Sequence, residues 1–129
     1  MTAFLLDTHT LLWWWTDPDR LSPAAREVIA SATDTIFVSV ASVWEIAIKT
    51  QSGKLTVVED FERDYDPLMR ANAFSSLPIR ADHALRAGFL AGAHRDPFDR
   101  VLSAQALIED MTVLTRDPEI ARFGCKVLW

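Results

Sequence analysis

Four acids in this 129-residue chain have a spacing that suits metal chemistry. Asp7 ends the apolar run Phe4-Leu5-Leu6, and Asp117 follows Val113-Leu114-Thr115. Glu45 lies about two turns into a helical stretch, and Asp99 falls in the first turn of a helix opened by Asp96. Carboxylates brought to one place repel, and at least one is pushed toward its protonated form. A divalent ion removes the conflict. Hard oxygen ligands suit Mg²⁺, with Mn²⁺ able to substitute. The chemistry such a site supports is metal-assisted phosphodiester hydrolysis, in which one ion activates water and a second stabilises the leaving oxygen.

Each acid also has a purely structural use. Asp7 can N-cap the helix that follows it. Asp96 and Asp117 each precede a proline, the usual cap-then-proline helix start. Asp99 sits three residues after Asp96, as in a capping box. Glu45 is different, because Val43, Trp44, Ile46, Ala47 and Ile48 surround it and a charge there needs a partner or a cleft. Capping and metal binding are compatible. Their shared placement at element ends favours a common site.

The elements that would position these acids alternate between strand-like and helix-like segments, which predicts an α/β fold with a mainly parallel sheet. The pattern gives strands at 4–6, 35–38, 76–79, 112–114 and 126–128. Helices are expected at 8–16, 22–31, 39–52, 59–72, 81–90, 96–109 and 117–124. Pro67 lies inside the fourth, so Asp66-Pro67 is an alternative start for a shorter helix. In open α/β sheets, sites form outside the carboxyl ends of the strands where strand order reverses. Asp7 and Asp117 would stand there.

The length predicts one domain over 1–129, with enough chain to build a core without staples. The net charge of −5 argues against nucleic-acid binding through a broad basic face, but not against a nuclease with a metal-filled acidic cleft. A single cysteine, the absence of a long apolar run and the lack of a basic leader point to a cytoplasmic protein without a membrane span.

Four blocks occur in order: Phe4-Leu5-Leu6-Asp7-Thr8-His9; Ser42-Val43-Trp44-Glu45-Ile46-Ala47-Ile48-Lys49; His94-Arg95-Asp96-Pro97-Phe98-Asp99-Arg100 with Ala104-Gln105-Ala106; and Leu114-Thr115-Arg116-Asp117. Together they resemble a PIN domain, specifically the VapC-type toxin ribonuclease of a toxin–antitoxin pair. The resemblance runs through the terminal Val127-Leu128-Trp129. It implies a PIN-like central sheet of about five strands flanked by helices, Mg²⁺- or Mn²⁺-dependent RNA cleavage, and a small VapB-like antitoxin as partner. Carried over by motif, the metal-binding acids are Asp7, Glu45, Asp99 and Asp117, with Asp96 as an additional acid at the rim. The chain departs from the subgroup in having Ala91-Gly92-Ala93 where a proline is common, and Phe123 where a tyrosine is common. Neither departure touches the acidic set.

Ser39 and Thr115 are candidates to support the metal shell by hydrogen bonding. Lys49, Lys54, Arg95, Arg100 and Arg116 are candidates to position phosphate. His9 and His94 have the same choice between substrate contact and structure. Trp13-Trp14-Trp15 cannot all face one core, because successive helical residues point about 100° apart. At least one is expected to be partly exposed, as a homodimer or antitoxin contact. The expected reaction is in-line attack of metal-activated water, leaving 5′-phosphate and 3′-hydroxyl ends. The competing readings are a DNA-directed nuclease of the same fold, a receiver-like phosphate-signalling module and a non-catalytic binding domain.

Overall fold

The computed structural model describes residues 2–129. Strands β1 (Ala3–Leu6), β2 (Thr35–Ser39), β3 (Ser75–Leu77), β4 (Thr112–Leu114) and β5 (Val127–Leu128) form one sheet in the order β3-β2-β1-β4-β5. Every neighbouring pair is parallel. The chain builds outward from β1 to β2 and β3, then crosses back and adds β4 and β5 on the other side. Strand order therefore reverses between β1 and β4. That is the place where loops diverge and open a crevice at the carboxyl edge.

Seven α-helices cover the two faces: α1 (Thr8–Thr16), α2 (Pro23–Ala30), α3 (Val40–Gln51), α4 (Phe61–Ala71), α5 (Ala81–Phe89), α6 (Pro97–Glu109) and α7 (Pro118–Arg122). Side chains alternate across a strand, so β1 feeds two cores. Phe4 and Leu6 pack with Leu11, Ile29, Ile46 and Phe61 on one face. Leu5 packs with Leu102, Val113 and Ile120 on the other. Among the described residues no helix is long and apolar enough to cross a membrane.

The expected elements are present, with small shifts in bounds. One turn of 3₁₀ helix at Pro18–Arg20 was not foreseen. The α4 segment is one helix, not two, and Pro67 lies inside it. Buried Phe61 on one side of the proline and buried Leu68 and Met69 on the other belong to the same core. Their burial outweighs one missing backbone hydrogen bond at an exposed position.

Each tryptophan of the triplet is partly exposed, as expected, and each is also held by a partner distant in sequence. Trp13 packs edge-on to Trp129, Trp15 lies against Phe61, and Trp14 Nε1 donates to Asn72 Oδ1 at 2.9 Å. The most exposed tryptophan is instead Trp44, at 60%. Leu85 and Phe89 on α5 are exposed as well.

Ser39 is fully buried where β2 turns into α3. Its hydroxyl accepts from the Ala41 N–H at 3.0 Å and donates to Gln105 Oε1 at 2.5 Å, which ties α3 to α6 beneath the carboxyl edge. Ser39→Ala removes a cap and leaves a buried acceptor unpaired, with an expected cost of about 1–3 kcal/mol. Urea unfolding checks this, and a midpoint equal to that of the parent contradicts it.

Candidate active site

The local geometry at β1 follows from capping. Asp7 holds an extended backbone before α1, and its Oδ1 accepts from the Thr10 N–H at 2.8 Å. Its Oδ2 accepts from the Thr115 hydroxyl. That same hydroxyl oxygen accepts from the Asp117 N–H at 3.0 Å. Thr115 thus fixes the strand-end acids of β1 and β4 against each other across the switch point. Asp117 caps α7 through its Oδ1, which accepts from the Glu119 N–H at 2.9 Å. Asp7 and Asp117 line a common cavity of about 510 Å³, together with His9, Trp13, Arg20 and Arg116.

Asp96 caps α6, and its Oδ1 accepts from the Phe98 and Asp99 N–H groups at 2.9 and 3.1 Å. Asp99, one turn on, is half-buried and meets His94 Nε2 at 2.8 Å through Oδ2. Burial first, then the charges of Asp96 and Glu45, push the Asp99 carboxyl up to about 6, against the pull of His94. The His94 imidazole is pushed above its ordinary value by its hydrogen bond to Asp99 and by the charges of Asp99, Glu119 and Asp117. One proton therefore sits comfortably between the two.

Glu45 is buried in α3, as its apolar neighbours required, and its partner is Lys49, with Nζ 2.6 Å from Oε2. Its charge still reaches Asp99.

The four acids come from four elements: Asp7 and Asp117 share a cavity, Asp117 meets Asp99, and the charge of Glu45 reaches Asp99. His94, Asp99 and Asp117 offer ligand atoms that lie within 4.8 Å of one another. Asp7 and Glu45 are outside that tight group, because their oxygens are turned to Thr115 and the Thr10 N–H, and to Lys49. The donor set is carboxylate-rich with one imidazole, and an acid at its centre is held near pH 6 by its neighbours. Those residues fit a divalent cation.

Two expected contributors act on structure instead. Ser39 has no access to a substrate because it is buried beneath the edge. Arg100 spends its guanidinium on three backbone carbonyls, Ala87 and His94 at 2.9 Å and also Leu90. It clamps the segment that delivers His94 and Asp96. Arg116 is exposed and lies over the Trp13 ring, with Cζ 4.6 Å from the centroid. His94 is the residue whose weight the sequence undersold. Its place five residues before Asp99, on the turn leading into α6, was the available signal.

A family model of the PIN domain matches residues 4–125. The chain belongs to the PIN domain family. Ribonuclease VapC22 of Mycobacterium tuberculosis is 28% identical to this PIN domain over 120 residues, covering 91% of this chain and 88% of that protein. Two solved structures share the fold. VapBC2 from Rickettsia felis, bound to a DNA fragment from their promoter, matches with a TM-score of 0.71 at 14% identity, over 98% of each chain. DNA-bound VapBC from Salmonella typhimurium matches with a TM-score of 0.69 at 15% identity, over 99% of this chain and 98% of that one.

The raised pKa values set a pH dependence. Asp99 holds its proton more tightly folded than unfolded, about 6 against 3.8, and His94 does the same above 6.5. Their contribution to stability is fully present below pH 3.8 for Asp99 and below 6.5 for His94, and is lost as pH rises through the folded values. Metal-free protein should therefore lose stability through this window. Excess Mg²⁺, which competes with those protons, should raise Tm clearly at pH 7.5 and little at pH 5. Thermal scans with and without EDTA check this. An equal Mg²⁺ shift at both pH values contradicts it.

Proposed function

We propose that this PIN domain is an endoribonuclease, the toxin of a toxin–antitoxin pair, and that its cleavage depends on Mg²⁺, with Mn²⁺ able to replace it. The observation that supports the reading is the meeting of Asp99 and Asp117 with His94, ligand atoms within 4.8 Å of one another, beside a cavity that Asp117 shares with Asp7. The similarity to a VapC ribonuclease and the fold shared with VapBC complexes support the substrate class and the antitoxin partner. The place of action in this reading is the cytoplasm, and a second copy of the chain is a further partner.

Asp7, Glu45, Asp99 and Asp117 would hold the ion, with Asp96 at the rim. The bound ion supplies an activated water for in-line attack and charge stabilisation at the phosphate. The chain's own part is preorganisation. Thr115 and the Thr10 N–H fix the Asp7 carboxylate, so it needs little reorganisation. Lys49 and His94 offset the charges of Glu45 and Asp99. Hydrolysis by water leaves a 5′-phosphate and a 3′-hydroxyl.

Asp7→Asn keeps an N-cap oxygen but loses the charge. Incubation with total RNA and Mg²⁺ should show cleavage at least about 100-fold slower than the parent, the scale for losing one preorganised electrostatic group. Tm should stay within a few degrees. Full activity in excess EDTA, or 2′,3′-cyclic phosphate ends, contradicts the mechanism. Parallel digestion of DNA separates substrate classes, and preference for DNA overturns the ribonuclease assignment.

A further inference from the structure

A second cavity, of about 710 Å³, lies between α1 and the C-terminal end of α3. It adjoins the acidic cavity, because His9, Trp13 and Arg20 wall both. Its charge is opposite in sign to that of the chain. Arg20, Lys49 and Lys54 line it against one acid, Asp17, while the whole sequence carries −5. Lys49 pairs with Glu45 and so marks where this basic wall meets the acids. Arg20 and Lys54 form no ion pair among the described residues, and neither does Arg116 next door.

Trp13 organises these cations. The Arg20 Cζ lies 4.7 Å and the Arg116 Cζ 4.6 Å from its ring centroid. The indole is itself held by Trp129 at 5.9 Å and His9 at 5.7 Å. A guanidinium over an aromatic ring keeps its N–H edge free for oxyanions and loses side-chain freedom in advance. Arg20 faces both cavities and Arg116 faces the acidic one.

We propose that this cavity is a backbone subsite for single-stranded RNA, in which Lys54, Lys49 and Arg20 hold phosphates beside the one being cut. Trp13 is a positioning residue that presets Arg20 and Arg116. The three cations match a polyanion, Leu12, Ile46, Leu55 and Val57 in the same lining give its bases apolar contact, and continuity with the cavity of Asp7 and Asp117 favours a substrate strand over a protein partner. The inference rests on the ribonuclease reading. It adds where the strand runs and which side chains hold it.

The test uses an oligoribonucleotide spanning a cut mapped in total RNA, with steady-state kinetics at several salt concentrations. Lys54→Ala should raise KM about 5- to 10-fold with kcat within 2-fold, and Arg20→Ala, at a residue that also lines the cavity of Asp7 and Asp117, should raise KM by the same factor. Each should also flatten the plot of log affinity against log salt by about 0.7. Trp13→Leu should raise KM in the same way without changing the salt slope as much, since both guanidiniums remain. Arg86→Ala, on α5, serves as a charge control and should match the parent. Unchanged KM and salt slope in folded Lys54→Ala and Arg20→Ala, with the parent active, overturn the subsite and leave the nuclease reading intact. Unchanged KM with weakened antitoxin binding also overturns it and assigns the groove to the protein partner. A parent protein that cuts no RNA overturns the nuclease reading and the subsite with it.

Discussion

The crowding of negative charge at the carboxyl edge of β1 and β4 governs this molecule. Asp99 and Asp117 meet with His94, Asp117 shares a cavity with Asp7, and the charges of Asp96 and Glu45 reach Asp99, so repulsion among these acids must be met locally. The chain meets it with at least one donor or cation for each acid. Thr115 serves Asp7, Lys49 serves Glu45, His94 serves Asp99, and backbone N–H groups serve Asp96 and Asp117. The imbalance that remains is visible at Asp99, held near pH 6 by burial and its acidic neighbours.

The topology explains why the acids meet. Strand order reverses between β1 and β4, so the segments leaving those strands part and expose the edge. A proline after each of Asp96 and Asp117 fixes the start of α6 and α7, and the cap at 96 sets Asp99 one turn on, where it meets Asp117 and His94. Capping and site-building are one arrangement. The same N–H contacts that start the helices also hold the carboxylates still. Around this acidic centre the surface changes sign, with Arg116 after β4, Arg20 after α1, Lys49 on α3 and Lys54 just beyond it lining the two adjoining cavities.

Much of this was legible in residue order. Asp7 after Phe4-Leu5-Leu6, and the Asp-Pro pairs at 96 and 117, gave strand ends and helix starts that the structure reproduces. Glu45 among apolar neighbours marked a buried charge with a partner, though not that Lys49 one turn on would be it. What stayed hidden depended on long-range packing. Nothing local told that Ser39 would be sealed against Gln105, or that Arg100 would turn back onto three carbonyls instead of facing phosphate. The tryptophan triplet announced the partial exposure that the structure shows, but not that Trp129, Phe61 and Asn72 would pack against it from distant sequence. Pro67 reads as a break until the shared core of Phe61, Leu68 and Met69 is known.

The central claim is that the four carboxylates share a divalent cation. The most direct measurement is an anomalous difference map from a crystal soaked in Mn²⁺ near pH 7.5. The account predicts a peak beside Asp7, Asp99 and Asp117, with the Lys49–Glu45 and His94–Asp99 pairs rearranged around it. No peak there, or a peak only at surface carboxylates with the Lys49–Glu45 and His94–Asp99 pairs undisturbed, would contradict it.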